Sequence, residues 1–158
     1  MDTFDFIVIG AGPAGEAAAF KARERKATVA VVDRQWFGGS CPHIGCLPSK
    51  ALLYSAAQHA ANPATYDWPR AATHRDYMIN RAADAAEPDD SSHVRALEKA
   101  GAVAYRGTAR IVGRGRVEVR HDEAAHVLEG ANVMIAVGSH SKAPPLKGLQ
   151  SSSRNWRC

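Results

Sequence analysis

The chain has 158 residues, 46% of them apolar, with a net charge of +4 and a pI of about 9.1, enough for one domain with a substantial core. Arg106, Arg110, Arg114, Arg116 and Arg120 form a loose band separated by small or apolar residues; this reads as a solvated hairpin face and not as a nucleic-acid patch. No apolar run approaches the ~20 residues of a membrane span, and Asp2 and Asp5 do not suit an export signal, so a cytoplasmic location is expected.

Residues 4–9 are apolar except for Asp5, the outline of a buried parallel strand. The strand runs into Gly10-Ala11-Gly12-Pro13-Ala14-Gly15. Alanine-rich sequence follows to Ala27, and a second apolar run over 28–32 ends on Asp33. Strand, glycine turn, helix, strand and terminal acid together make a dinucleotide-binding unit. Gly10 permits the tight turn, Gly12 lets backbone approach a pyrophosphate, and Gly15 lets the helix pack closely on the strand. The helix N-terminus offers N–H groups to the phosphates, and Asp33, 23 residues after Gly10, is placed to bond ribose hydroxyls. This pattern does not distinguish NAD from FAD.

A short connection leads into Gly38-Gly39-Ser40-Cys41-Pro42-His43-Ile44-Gly45-Cys46-Leu47-Pro48-Ser49-Lys50, which holds two of the three cysteines. In a regular helix of about 3.6 residues per turn, side chains five positions apart point roughly 140° from each other. A bridge therefore needs irregular backbone, which Pro42 and Pro48 supply. A helix after the loop would turn its positive end toward the thiols and favour thiolate. The pair reads as a redox disulfide. A permanent structural disulfide is the alternative, and zinc is disfavoured because there is no second cysteine pair and Cys158 stands alone in the tail. His43 reads as loop chemistry and not as a catalytic base.

Residues 51–61 read as a helix with Leu52, Leu53, Ala56, Ala57 and Ala60 on one face. Two prolines break the stretch 62–69. A second helix over about 71–86 would carry Tyr77, Met78 and Ala82 toward the core. Pro88-Asp89-Asp90 is a turn, and Asp90 or Ser91 can cap a third helix running to Lys99, closed by Gly101. From Ala102 the period becomes two: Val103, Tyr105 and Ile111, then Val117 and Val119 beyond Gly113-Arg114-Gly115, predict a hairpin or meander, with 127–128 as a possible third strand. Residues 131–137 read as a buried strand returning to the parallel sheet and ending at Gly138. An extended segment follows to Gly148, and 149–158 carry no period or motif.

Gly38 to Lys50 resembles the signature of the flavin-dependent pyridine nucleotide–disulfide oxidoreductases, which runs Gly-Gly-(Thr/Ser)-Cys, four residues, then Cys-x-Pro-Ser-Lys. The resemblance takes in Gly10 to Gly15 and Met134-Ile135-Ala136-Val137-Gly138-Ser139, where Val137 stands for the family's usual Thr. It implies a Rossmann-like α/β FAD-binding domain with a meander inserted before its last strand. Residues 1–148 would be the N-terminal part of that domain, and 149–158 an unstructured tail unrelated to the family. By resemblance, FAD would lie against Gly10, Gly12, Pro13, Ala14 and Gly15, with Asp33, Gly39, Ser40, Lys50 and Gly138 completing its site.

Cys46 would then face the flavin as the charge-transfer thiol, Cys41 would exchange with substrate, and Lys50 would lie near the reactive end of the ring. The family takes electrons from NAD(P)H, passes them to disulfide, dithiol or metal-ion substrates, and is homodimeric. Its second dinucleotide fingerprint, dimer domain and His-Pro acid–base partner have no counterpart in these 158 residues. The expectation is therefore an N-terminal fragment of such an enzyme; the rival reading is a non-catalytic flavin- or nucleotide-binding remnant. The histidines other than His43 are expected at the surface.

Overall fold

The computed structural model describes residues 2–65, 67–81 and 88–139. Strand β1 (Asp2–Ile9) leads through the glycine turn into helix α1 (Pro13–Glu24) and strand β2 (Val29–Asp33). The cysteine loop forms a one-turn helix α2 (Ser40–His43) and the start of helix α3 (Cys46–Ala61). After a 3-10 turn at Pro63–Thr65 come α4 (Trp68–Asn80) and α5 (Ser91–Lys99). Strands β3 (Val103–Arg106), β4 (Thr108–Gly113), β5 (Arg116–His121) and β6 (Ala124–Ile135) follow.

The six strands form one mixed sheet in the order β3-β2-β1-β6-β5-β4. β3, β2, β1 and β6 run parallel, with Ile7 opposite both Ala30 and Val133; β6, β5 and β4 pair antiparallel as a meander. Successive side chains of a strand point to opposite faces, and both faces of the parallel part are covered. On one side Val8, Val29 and Val31 pack with Ala19 of α1, Phe37 and Leu97 of α5. On the other, Ile7, Ala30 and Val32 pack with Val117, Val119 and Leu128 of the meander. The meander therefore curls back over the sheet that leads into it. This is the expected α/β Rossmann-like architecture.

Several local expectations are corrected. Val103 and Tyr105 do not open the meander; they form β3, the outer parallel strand, paired with Ala30 and Val32. The two strands expected at 127–128 and 131–137 are one: β6 pairs antiparallel with β5 through Glu129 and parallel with β1 from Leu128 onward. Gly130 makes this possible, because a Cβ there would lie 2.8 Å from the Ile7 Cγ1. The end of that strand is not buried: Ile135 and Val137 are 65% and 66% exposed. α3 begins at Cys46 rather than Ala51, and its apolar side is largely open, with Leu53 63% exposed. α4 contains no buried residue, so Tyr77 and Met78 do not reach the core. Both helices pack chiefly on each other and not on the sheet. Residues 82–86, the segment 143–148, His140 and the tail 149–158 lie outside the described residues.

Candidate functional site

The C-terminal ends of β1, β2 and β6 open onto a cleft of about 820 Å³. Gly10, Gly12, Pro13, Ala14, Asp33, Gly39, Ser40 and Gly138 all line it. Eight of the ten residues expected to hold a cofactor thus meet at one place. Ligands of open parallel sheets bind at this end of the strands, and the volume is that of an ordinary ligand site.

Glycine is required here for three separate reasons. Gly10 has φ +102, and a Cβ on it would run into the Ala136 carbonyl. Gly15 is buried under the turn, where a Cβ would collide with the Gly10 carbonyl group; its role is packing, and it does not line the cleft. Gly12 has ordinary dihedrals, and a Cβ there would meet only the Gly39 Cα, at 3.8 Å. The space over Gly12 is the open cleft itself. Gly12 also caps α1 without any side-chain hydrogen bond, which leaves the first-turn N–H groups to a ligand. The geometry fits the pyrophosphate of a dinucleotide.

Asp33 also shapes the turn. Its Oδ2 accepts the Ala11 N–H at 2.7 Å and its Oδ1 the Gln35 N–H at 2.8 Å. Each oxygen keeps a second lone pair, so a ribose contact stays open to it. Arg34, Gln35 and Trp36 line the cleft beside it, as do Thr108 and Ala109 at the start of β4. Sequence reasoning did not single out these five.

The cysteine loop is docked directly onto the glycine turn. The Gly38 N–H donates to the Ala11 carbonyl at 2.8 Å. Gly39, at φ +67, lies so close that a Cβ on it would stand 2.6 Å from the Gly12 Cα. The Ser40 carbonyl accepts from both Ile44 and Gly45, which closes the loop between the cysteines. Cys41 is half-buried and Cys46 exposed, and both are free thiols. They touch: a hydrogen bond to the Cys46 side chain, then burial and repulsion from Cys46, push the Cys41 thiol up, against smaller opposing effects of the Cys46 N–H and the Lys50 charge. The expected bias toward thiolate is therefore not met at Cys41. The reason is that the contact with Cys46 and burial outweigh what the Cys46 N–H at the start of α3 and the Lys50 charge contribute. Lys50 is exposed on α3 and does not line the cleft; its link to the site is its charge acting on Cys41.

Behind the loop lies a polar cluster that the sequence did not reveal. His43 is 3% exposed, and its Nε2 lies 2.8 Å from the Phe37 carbonyl. His93, expected at the surface, is only half-exposed and pairs through Nδ1 with Glu16 at 2.8 Å. Arg106 does not belong to a solvated hairpin face. It forms a two-pronged pair with Asp90 at 2.9 and 2.7 Å, caps the Phe37 ring at 5.0 Å and bonds the Gln35 carbonyl. Asp90 occupies the N-cap of α5 as expected but makes no side-chain cap bond, because its Oδ2 also takes the Phe37 N–H. Among the described residues no group of three or more His, Cys, Asp or Glu is placed to hold a metal ion, and no helix is long and apolar enough to cross a membrane.

The profile of the family described as "Pyridine nucleotide-disulphide oxidoreductase" matches residues 4–157. The chain is 35% identical over 159 residues to Dihydrolipoyl dehydrogenase 3 of Pseudomonas aeruginosa, covering 94% of this chain and 33% of that protein. It is 34% identical to a Glutathione reductase of Burkholderia cepacia (92% and 32% covered) and 31% identical to a Mercuric reductase of Streptomyces lividans (92% and 32%). It thus spans about a third of the length of these curated relatives. Among solved structures, the Cu(II) complex of the HOCl-induced flavoprotein disulfide reductase RclA of Escherichia coli superposes with a TM-score of 0.77 at 23% identity, over 96% of this chain and 32% of that one.

Proposed function

The chain belongs to the pyridine nucleotide-disulphide oxidoreductase family, and on that premise we propose that it supplies the ADP-binding end of a FAD site together with the redox dithiol that the flavin serves. The whole protein would pass electrons from NAD(P)H to a disulfide, dithiol or metal-ion substrate. One observation carries this reading: the turn that lines the dinucleotide cleft and the loop that bears two touching thiols are bonded to each other.

The chain's own residues divide the task. Gly12 and the open N-terminus of α1 receive the pyrophosphate, while Asp33 holds the turn and faces the ribose. Gly39 and Ser40 bring the cysteine loop to the cleft wall. Bound there, FAD supplies two-electron transfer between a nicotinamide and a disulfide. Cys41 and Cys46 hold the reducing equivalents as two thiols and release them by closing a bridge, the half-buried Cys41 being the one proposed to exchange with substrate.

The test is a titration of the purified chain with FAD, followed by flavin fluorescence. Saturable quenching that is lost in Gly12→Asp is expected. Peptide mapping of the oxidised chain is expected to find a Cys41–Cys46 bridge. Absence of saturable quenching, or a bridge from either cysteine to Cys158 instead, overturns the proposal.

A further inference from the structure

We propose that His43 is a positioning residue: its ring braces the two-glycine hinge that carries Cys41 and holds that thiol against Cys46. The inference rests on the redox-pair reading above and assigns a role to a side chain that reading leaves unused.

His43 stands in α2 between the two cysteines, buried to 3% exposure. Its Nε2 is 2.8 Å from the Phe37 carbonyl oxygen. A carbonyl can only accept, so Nε2 bears a proton and donates to it. Nδ1 is buried without a hydrogen-bond partner, a costly arrangement for a polar atom. The ring is therefore committed to its one bond to Phe37.

That bond spans Gly38 and Gly39, whose φ values are +91 and +67. With no side chain on either residue, the hinge is held only by its backbone, through the Gly38 N–H bond to Ala11 and the Gly39 N–H bond to the Trp36 carbonyl, and the His43 ring adds a side-chain tie across it. Its near end is fixed. Phe37 is 1% exposed, its N–H is held by Asp90 at 2.8 Å, and Arg106 covers its ring. The far end, α2, is a four-residue helix, too short to be stable by itself. The His43 ring is in turn flanked by Trp36 at 5.7 Å and His93 at 5.8 Å, and His93 is anchored to Glu16. The brace thus ties the element bearing Cys41 to the core. A thiol held next to its partner closes a bridge at high effective concentration; a loosened one does not. His43 is placed as a brace and not as a base for Cys41: its Nε2 is committed to the Phe37 carbonyl and its Nδ1 has no hydrogen-bond partner.

The experiment equilibrates the whole chain with mixtures of reduced and oxidised dithiothreitol. The bridge takes up two electrons and two protons to become two thiols, while dithiothreitol loses the same and closes its own ring. Alkylation and peptide mass spectrometry then report Cys41 and Cys46 separately from Cys158. His43→Phe, which fills the space without a donor, is expected to shift the balance about five- to tenfold toward the dithiol, the worth of one net hydrogen bond. His43→Gln, whose amide nitrogen replaces Nε2, is expected to stay within about threefold of the parent. If His43→Phe fails to fold by circular dichroism, His43→Leu takes its place.

A bridge that titrates in the parent but does not move in His43→Phe or His43→Leu overturns the brace. So does an equal shift in His43→Gln. A parent chain that forms no Cys41–Cys46 bridge in any mixture refutes the redox-pair reading instead, and the brace falls with it.

Discussion

One methyl group, added at Gly15 or at Gly12, separates the packing role of the glycine turn from its binding role. At Gly15 the new carbon would lie far inside van der Waals contact with the Gly10 carbonyl oxygen, 2.9 Å from that carbonyl's carbon and 3.3 Å from Val8 Cγ1. The first two are backbone atoms and cannot rotate away, so α1 must lift from the end of β1. Overpacking of this kind costs about 1–3 kcal/mol, offset by up to about 1 kcal/mol from alanine's better helix propensity. A net loss of about 1–2 kcal/mol lowers the melting temperature by roughly 2–8 °C for a chain of this size. Gly12 already has φ −73 and ψ −177, and its new carbon meets only Gly39 Cα at 3.8 Å. Gly12→Ala should therefore melt within about 2 °C of the parent, yet place a methyl group where a pyrophosphate would approach. Melting by circular dichroism and calorimetric titration with ADP measure the two effects. Gly15→Ala melting with the parent, or Gly12→Ala binding ADP undiminished, refutes this division of labour.

Asp90→Ala removes the acceptor of both the Arg106 pair and the Phe37 N–H; with Asp90 only 13% exposed, a loss of about 2–3 kcal/mol is expected in urea unfolding, and an unchanged midpoint refutes the cluster's structural role. In the reduced chain Cys46, being exposed, should be alkylated before Cys41, which is half-buried and has its thiol pushed up by Cys46; faster labelling of Cys41 in timed mass spectrometry contradicts this. Tyr105, partly buried and donating to Asp2 at 2.9 Å, is pushed up to about 12. Its folded value lies above its unfolded one near 10, so the stability it contributes is complete below about pH 10 and is lost as pH rises toward 12. Tyr105→Phe should flatten that alkaline decline, and 295 nm absorbance of the parent should show one late-ionising tyrosine.

The local chemistry of the strand, glycine turn, helix and acid is written in residues 4–33, because each step depends on neighbours a few positions away. Pro13 starts α1, apolar runs mark β1 and β2 as buried strands of a parallel sheet, and Lys99 ends α5 followed by Gly101 at φ +85. The cysteine spacing likewise required irregular backbone, which the α2–α3 junction provides. Burial and approach were not legible, since they depend on what arrives from far along the chain. The apolar side of α3 has helical period, but only packing shows that α4, and not the sheet, lies across from it. A run such as 131–137 is apolar whether or not a layer covers it, and β6 became one strand because Gly130 lets Ile7 in. His43 and His93 read as ordinary polar residues until α5 and the first turn of α1 close over the loop. Above all, the contact of Gly39 with Gly12 joins two motifs 27 positions apart. Each motif can be recognised alone, but only the folded backbone sets the distance between the dinucleotide cleft and the thiols.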